Sequence, residues 1–225
     1  MEQKTKKFFL AKIYHLLFKE KFKKKIIFNF PKGVSRLDLI KRSISKNNYQ
    51  SYLEIGCDDD EIFNSINVKG KIGVDPFCGG NFRGTSDDFF FQNKNKFDCI
   101  FIDGLHVYKQ VKKDILNSID CLNENGIIIL HDCLPQTISA QAVPRCRYLW
   151  NGDVWKAVVE ARTWHHVNTV TVLIDQGVSI IKKNKNTDIL KIENQNFGSI
   201  KFEEFYNNHK EYMRIVNFVD LEKYI

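Results

Sequence analysis

The sequence predicts an α/β fold built on a doubly wound, mostly parallel sheet. Between residues 50 and 183, apolar runs of strand length alternate with amphipathic segments of helix length, which is typical of a parallel sheet covered by helices. The last two strand-like runs are separated only by Asp175, Gln176 and Gly177. That connection is too short for a helical crossover, so the two strands are predicted to form an antiparallel hairpin.

The individual elements follow from local patterns. Six apolar runs bounded by polar or glycine residues are predicted to be strands, at 51–55, 71–74, 97–102, 126–130, 168–174 and 178–181. Val111, Ile115 and Ile119 recur at helical spacing and predict a helix over 107–122. Further helices are predicted over 154–162 and 201–217.

Length and composition exclude several classes of protein. The chain has 225 residues, of which 43% are hydrophobic, so it can bury the core of one domain and is not a disordered protein. Lysine or glutamate interrupts every long apolar run, which excludes a membrane-spanning helix. The six cysteines form no CxxC pair and no secretory leader is recognisable, so we expect a reduced, cytoplasmic chain.

The net charge of +7 lies entirely in residues 1–25, which contain nine lysines and two acidic residues, Glu2 and Glu20. Phenylalanines and leucines between these lysines predict a basic amphipathic helix within residues 6–30. One interpretation is contact with nucleic acid or with an anionic membrane, here the inner membrane face. The favoured alternative is packing on the domain or on a partner subunit of a homo-oligomer. We therefore divide the chain into a basic amphipathic segment (1–32), a central domain (33–183) and a C-terminal extension with a strand and a helix (184–225).

A nucleotide-type site is indicated where the first two strands end. The first strand runs into Gly56, whose turn lets the backbone approach a ligand closely, and the second ends in Asp75, which can accept both ribose hydroxyls. Four acidic residues, at 58–61, follow the turn. They would repel a pyrophosphate, so the ligand is predicted to be an adenosine without phosphates.

Six segments in register then resemble the class I S-adenosylmethionine (SAM)-dependent methyltransferases. They are EIGCD (54–58), GVDP (73–76), TSDDFF (85–90), FDCIFIDGLH (97–106), GIIILHDCLP (126–135) and WNGDVWKA (150–157). The similarity covers about residues 50–183 and is greatest to small bacterial members grouped with the macrolide-sugar O-methyltransferases. It implies a Rossmann-like, seven-stranded sheet with its last strand antiparallel, and SAM as the cofactor.

The resemblance also assigns cofactor contacts by position. Glu54 and Gly56 would line the methionine part of SAM, Asp75 would hold the ribose, and Cys57 is a candidate contact to the cofactor. Ser86 and Asp87 would lie by the adenine, and Asp103 is a further candidate contact. Because only about eleven residues separate Asp75 from Ser86, the usual helix between the second and third strands is expected to be absent.

Asp103 and Asp132 close the fourth and fifth strands. In metal-dependent relatives such residues hold Mg²⁺ together with a neighbour of the second, but the neighbours here are His131 and Cys133. Imidazole and thiolate favour a softer divalent ion, or none. Asp103, Asp132 and His131 are therefore the candidate metal ligands. His131 has two other interpretations, as a second base or as a histidine that bonds a carboxylate and fixes the loop, and the last is favoured.

His106 follows Asp103 by three residues, where the resemblance implies a general base. A neutral imidazole, with an ordinary pKa of ~6.5, can accept a hydroxyl proton. The sequence thus predicts O-methylation of a small molecule or sugar, with His106 and Asp103 as catalytic residues. Two rivals stay open: an RNA methyltransferase that uses the basic tail, and a SAM-binding assembly protein without turnover. For Trp150 and Trp155 we expect a hydrophobic clamp on the helix that starts at 154.

Overall fold

A computed structural model describes residues 8–193 and 195–225. Seven α-helices lie in this part of the chain: α1 (Phe9–Phe18), α2 (Arg36–Asn47), α3 (Glu61–Ser65), α4 (Ser86–Gln92), α5 (Tyr108–Asp120), α6 (Val154–Ala161) and α7 (Phe202–Met213). Two 3₁₀ helices span Phe197–Ser199 and Phe218–Lys223. Eight strands form one sheet: β1 (Ser51–Ile55), β2 (Gly70–Asp75), β3 (Phe82–Arg83), β4 (Phe97–Ile102), β5 (Leu122–Leu130), β6 (Asn168–Val172), β7 (Val178–Lys182) and β8 (Ile215–Val216).

The strand order is β3-β2-β1-β4-β5-β7-β6-β8. Strands β1 to β5 are parallel, and β7 runs antiparallel to both β5 and β6. The predicted mostly parallel sheet and its antiparallel hairpin are therefore confirmed. The sheet has eight strands instead of seven because β8, which follows α7, pairs in parallel with β6 and extends the edge.

Alternate residues of each strand point to opposite faces of the sheet, and both faces are covered by buried side chains. On β4, Ile100 and Ile102 pack in the cluster that includes α5, α6 and α7, whereas Cys99 and Phe101 pack in the cluster that includes α2 and α3. Trp155 of α6 is fully buried, with its ring centroid 4.4 Å from that of Phe205. Trp155 thus belongs to the core.

Several element boundaries differ from the predictions. Helix α7 ends at Met213 instead of residue 217, because the chain then forms β8, and β6 ends at Val172 instead of residue 174. Strand β5 begins at Leu122 instead of residue 126, because Leu122 pairs with Phe97 before a bulge interrupts the ladder. Helix α5 consequently ends at Asp120, two residues earlier than predicted. As expected, residues 76–81 connect β2 to β3 without a helix.

The predicted helix over residues 6–30 is much shorter in the structure, and its positions 6 and 7 lie outside the described residues. Only Phe9–Phe18 is helical, because the chain beyond it finds tertiary partners in an extended path. Glu20 accepts hydrogen bonds from the backbone N–H groups that open α7, Phe22 packs on Phe202, and Ile26 is buried. No helix among the described residues is long and apolar enough to cross a membrane.

Candidate functional site

The turn after β1 brings the ends of β1 and β4 together. Gly56 has a φ of +88°, and a Cβ atom there would lie 2.5 Å from the carbonyl oxygen of Asp103. The N–H of Asp103 donates to the carbonyl of Ile55 at 2.8 Å. A side chain at position 56 would force these backbones apart, so glycine is required for the approach.

Asp75 joins the turns that follow β1 and β2. Its carboxylate accepts four backbone N–H bonds, from Cys57 and Asp58 at 3.2 Å and from Phe77 and Cys78 at 2.8 and 2.9 Å. Burial alone would raise the pKa of Asp75, but these donors outweigh it and lower the pKa. A ribose at this position would have to share the carboxylate oxygens with the two turns.

Glu54 is buried at the end of β1. The hydroxyl of Tyr52 donates to its Oε2 at 2.6 Å, and burial raises the pKa of Glu54 to about 8. The thiol of Cys57 is also buried, and its Sγ lies 3.9 Å from the carbonyl oxygens of Glu54 and Val74. The Cys57 side chain therefore packs inside the turn, and burial raises the pKa of its thiol.

Ser86 and Asp87 begin α4 and bond to α5. The Gln110 amide nitrogen lies 3.1 Å from Ser86 Oγ and from Asp87 Oδ1, and Lys113 donates to Asp87 Oδ2 at 2.7 Å. The bond from Lys113 lowers the pKa of Asp87. These two side chains tie α4 to α5 at the position where the resemblance implies an adenine.

His106 lies between the carboxylates that end β4 and β5. Its Nε2 is 3.2 Å from Asp103 Oδ1, and its Nδ1 is 3.2 Å from both Asp132 Oδ2 and the carbonyl oxygen of Trp150. The Trp150 ring stacks on the imidazole at 5.3 Å between centroids. Burial would lower the pKa of His106, but the bond to Asp103 and the charge of Asp132 outweigh it and raise the pKa.

His131 connects Asp103 to the hairpin between β6 and β7. Its Nδ1 lies 3.3 Å from Asp103, and its Nε2 lies 2.8 Å from the carbonyl oxygen of Asp175. Arg36, at the start of α2, donates to Asp175 Oδ2 at 2.9 Å, and its Nε is 3.7 Å from Asp103. Hydrogen bonding to carboxylates that fixes the loop is the role favoured for His131 from the sequence, and this geometry supports that role.

A polar turn before α6 completes the cluster. The Asn151 side chain donates to Asp132 Oδ1 at 2.8 Å. Gly152 has a φ of +63°, and a Cβ atom there would lie 1.9 Å from the carbonyl oxygen of His106. The turn is therefore packed directly against the backbone of His106, and only glycine fits between them.

Three members of this cluster were not predicted from the sequence: Arg36, Asn151 and Asp175. Asp175 was interpreted only as part of a tight turn, and Asn151 as part of the segment before α6. Arg36 lies outside the region of resemblance, and its place in the sequence carries no signal of a site. Its role becomes visible only when α2 packs beside the hairpin.

Three side chains of this cluster could hold a divalent metal ion. Asp103, His131 and Asp132 each offer a ligand atom, and these atoms lie within 4.8 Å of one another. Two carboxylates and one imidazole can hold a divalent ion, and the nitrogen favours a transition metal over Mg²⁺. Such an ion would polarise an acceptor hydroxyl. Cys133 does not belong to this set, and its thiol is buried against the Leu130 carbonyl at 3.5 Å.

Comparison with known proteins shows what part of this chain resembles. Residues 72–133 match the family model described as a methyltransferase domain. None of the curated proteins matches the sequence.

Among solved structures, the fold is similar to that of the methyltransferase PaMTH1 of Podospora anserina, bound to S-adenosylhomocysteine (SAH). The TM-score is 0.53 and the identity 17%, over 70% of this chain and 83% of that chain. It is also similar to a putative O-methyltransferase of Klebsiella pneumoniae, with a TM-score of 0.51 and 10% identity over 81% and 98% of the two chains. At these identities the likeness establishes the fold. Residues 72–133 thus resemble a methyltransferase domain, and the overall fold is similar to that of methyltransferases of known structure.

Proposed function

We propose that the chain transfers the methyl group of SAM to a hydroxyl group of a small molecule or sugar. The observation that carries this proposal is the position of His106 between Asp103 and Asp132, because the backbone of Asp103 also lies directly beside the turn at Gly56. A proton acceptor and a cofactor turn thus meet at one edge of the sheet. Ligands of doubly wound folds bind at this edge.

The proposed cofactor contacts are Glu54, Gly56, Cys57, Asp75, Ser86, Asp87 and Asp103. SAM brings its own sulfonium leaving group, so the protein supplies binding, orientation and a base. The SAM ammonium and sulfonium groups are cationic, and Glu54 is a buried carboxyl with one hydrogen-bond donor, Tyr52. A cation beside Glu54 would favour its ionised form.

The hydrogen bonds of His106 identify the basic atom. The carbonyl of Trp150 can only accept, so Nδ1 carries the proton of the neutral ring. Nε2 lies 3.2 Å from Asp103 Oδ1, so the proton that it shares with this carboxylate must leave before Nε2 can take the proton of an acceptor hydroxyl. Asp103 and Asp132 flank the ring and would stabilise the imidazolium that forms.

The experiment measures transfer of a labelled methyl group from SAM to a panel of sugar and small-molecule hydroxyl compounds. With a verified acceptor, we expect His106→Ala to lower kcat by about 10²- to 10⁴-fold, the usual contribution of a general base. SAH affinity should change little. His165→Ala is the matched control, because His165 is exposed. An unchanged kcat in His106→Ala would contradict the assignment of the base.

A further inference from the structure

Helix α1 presents large apolar side chains to solvent on most of its surface. None of its ten residues is buried. Leu10, Leu16, Leu17 and Phe18 keep between 64% and 79% of their surface exposed. A helix that is apolar on nearly all sides is normally covered, and an exposed patch of this kind marks a binding surface.

The patch continues from α1 onto the loop over residues 134–150. The ring nitrogen Nε2 of His15 lies 2.7 Å from the carbonyl oxygen of Pro144, which joins the helix to this loop. The Arg145 guanidinium lies 5.9 Å from the ring centroids of both Phe8 and Tyr148. Tyr148 and the adjacent Leu149 are 71% and 60% exposed, so apolar surface extends beyond the helix.

The charge of the segment over residues 8–32 is predominantly positive. Residues 8–32 contain seven lysines, all exposed: Lys12, Lys19, Lys21, Lys23, Lys24, Lys25 and Lys32. Glu20 is the single acidic residue of this range. Both of its carboxylate oxygens accept backbone N–H bonds at 2.7 Å from the start of α7. One glutamate cannot balance the charge of seven lysines, so residues 8–32 carry a net positive charge.

We propose that α1, with Tyr148 and Leu149, docks the protein on an anionic lipid bilayer. The apolar side chains would enter the boundary between headgroups and acyl chains, while the lysines contact anionic headgroups. Ten residues of helix span about 15 Å, too little to cross the bilayer, so α1 lies in the plane of the surface.

The charge and the apolar side chains of this surface favour a bilayer over a second copy of the chain and over a nucleic acid. A second copy of the chain would bring two lysine-rich segments of like charge together. A nucleic acid would be held by the lysines through its phosphates, and the exposed aliphatic side chains Leu10, Leu16 and Leu17 would have no role. An anionic bilayer satisfies both the apolar and the basic components.

Docking would place the loop over residues 134–150 at the lipid surface. This loop is continuous with Trp150, which stacks on His106, and the Arg145 guanidinium lies 5.5 Å from the Trp150 ring centroid. The docking surface and the candidate active site thus share one loop. Vesicle binding requires no cofactor, so its measurement is independent of the proposed methyl transfer.

The test is co-sedimentation of the full chain with vesicles of phosphatidylcholine, with and without phosphatidylglycerol. We expect binding to the anionic vesicles and about tenfold or greater weakening on pure phosphatidylcholine. Leu16→Glu/Leu17→Glu removes the apolar component, and Lys21→Gln/Lys23→Gln/Lys25→Gln removes the basic one. Each should weaken binding by about tenfold or more, with melting temperatures unchanged because these side chains are exposed.

The matched controls change the same kinds of residue outside the patch. Phe91→Glu/Val219→Glu alters two side chains that are 95% and 87% exposed, and Lys94→Gln/Lys96→Gln/Lys109→Gln removes three exposed lysines. Both should bind like the wild type. The proposal is overturned if the wild type binds neither kind of vesicle. It is also overturned if binding is to single-stranded RNA alone and is insensitive to Leu16→Glu/Leu17→Glu, or if the patch only dimerises the chain.

Discussion

The Nδ1 atom of His131 lies 3.3 Å from each carboxylate oxygen of Asp103. Its other ring nitrogen faces the carbonyl of Asp175, which can only accept a hydrogen bond. Both ring nitrogens therefore act as donors, and the ring is an imidazolium. Burial opposes the charge, but Asp103 outweighs it and raises the pKa of His131 to about 10.

This pair makes stability depend on pH in a defined direction. The folded-state pKa of His131 lies above its ordinary 6.5, so the stabilisation is complete below pH 6.5 and is lost as pH rises through about 10. We expect His131→Gln to lower the free energy of unfolding by about 3 kcal/mol at pH 6, and by much less above pH 10. Urea unfolding at the two pH values measures this difference. An equal loss at both would contradict the charged pair, and His165→Gln is the exposed control.

The raised pKa of Glu54 leads us to expect a second pH dependence of the stability of the fold. Burial raises its pKa from 4.5 to about 8, so the folded state holds a proton that the unfolded state loses. The stability contribution of Glu54 is therefore complete below about pH 4.5 and declines until about pH 8. We expect the melting temperature of Glu54→Gln to fall less between pH 6 and 9 than that of the wild type. Glu61→Gln, an exposed substitution, should follow the wild type. Parallel curves for wild type and Glu54→Gln would contradict the raised pKa.

Six of the eight strands were predictable because each of these six carries its own signal. The runs at β1 and β4 are apolar on both faces and bounded by polar residues, and three residues between β6 and β7 leave only a hairpin. Strand β8 was missed because two residues, Ile215 and Val216, carry no periodicity. The helix over residues 6–30 was overextended because its pattern does not show that Glu20 and Ile26 have distant partners.

The candidate site was predictable only where its residues end strands. Asp103, Asp132 and His106 follow directly from the edge of a parallel sheet. Arg36 and Asp175 are 139 residues apart in the sequence, and their 2.9 Å ion pair is a product of tertiary packing. The backbone role of Asp75 was also unforeseen, because sequence does not show which side-chain oxygens the turns already occupy.

Gly152 is predicted to control the position of His106. In Gly152→Ala the new Cβ would lie 1.9 Å from the His106 carbonyl oxygen, so the loop must move. We expect a stability loss of about 1–3 kcal/mol and a fall in kcat that exceeds any change in SAH affinity. Gly33→Ala is the control, since Gly33 also has a positive φ, +74°, but a Cβ there would meet nothing within 4 Å. Equal changes in stability and kcat in the two variants would contradict a role for the contact between Gly152 and His106.

The pH dependence of methyl transfer tests the proposed base. Asp103 and Asp132 raise the pKa of His106 against the effect of burial. We therefore expect kcat to rise with pH and then level off, with the midpoint of the rise above pH 6.5, the ordinary pKa of histidine. Asp132→Asn removes one of these charges and should move the midpoint to lower pH. The midpoint is obtained from kcat with a verified acceptor. A midpoint unmoved by Asp132→Asn would contradict the electrostatic role of Asp132.

Calorimetric titration of the full chain with SAH tests the central claim most directly, because it requires no acceptor. A ligand that binds only the native state must stabilise it, by about 4 kcal/mol at a thousandfold excess over Kd. We expect one binding site per chain and a matching rise in melting temperature. Absence of both heat and thermal stabilisation at millimolar SAH would contradict the assignment of a SAM-dependent methyltransferase.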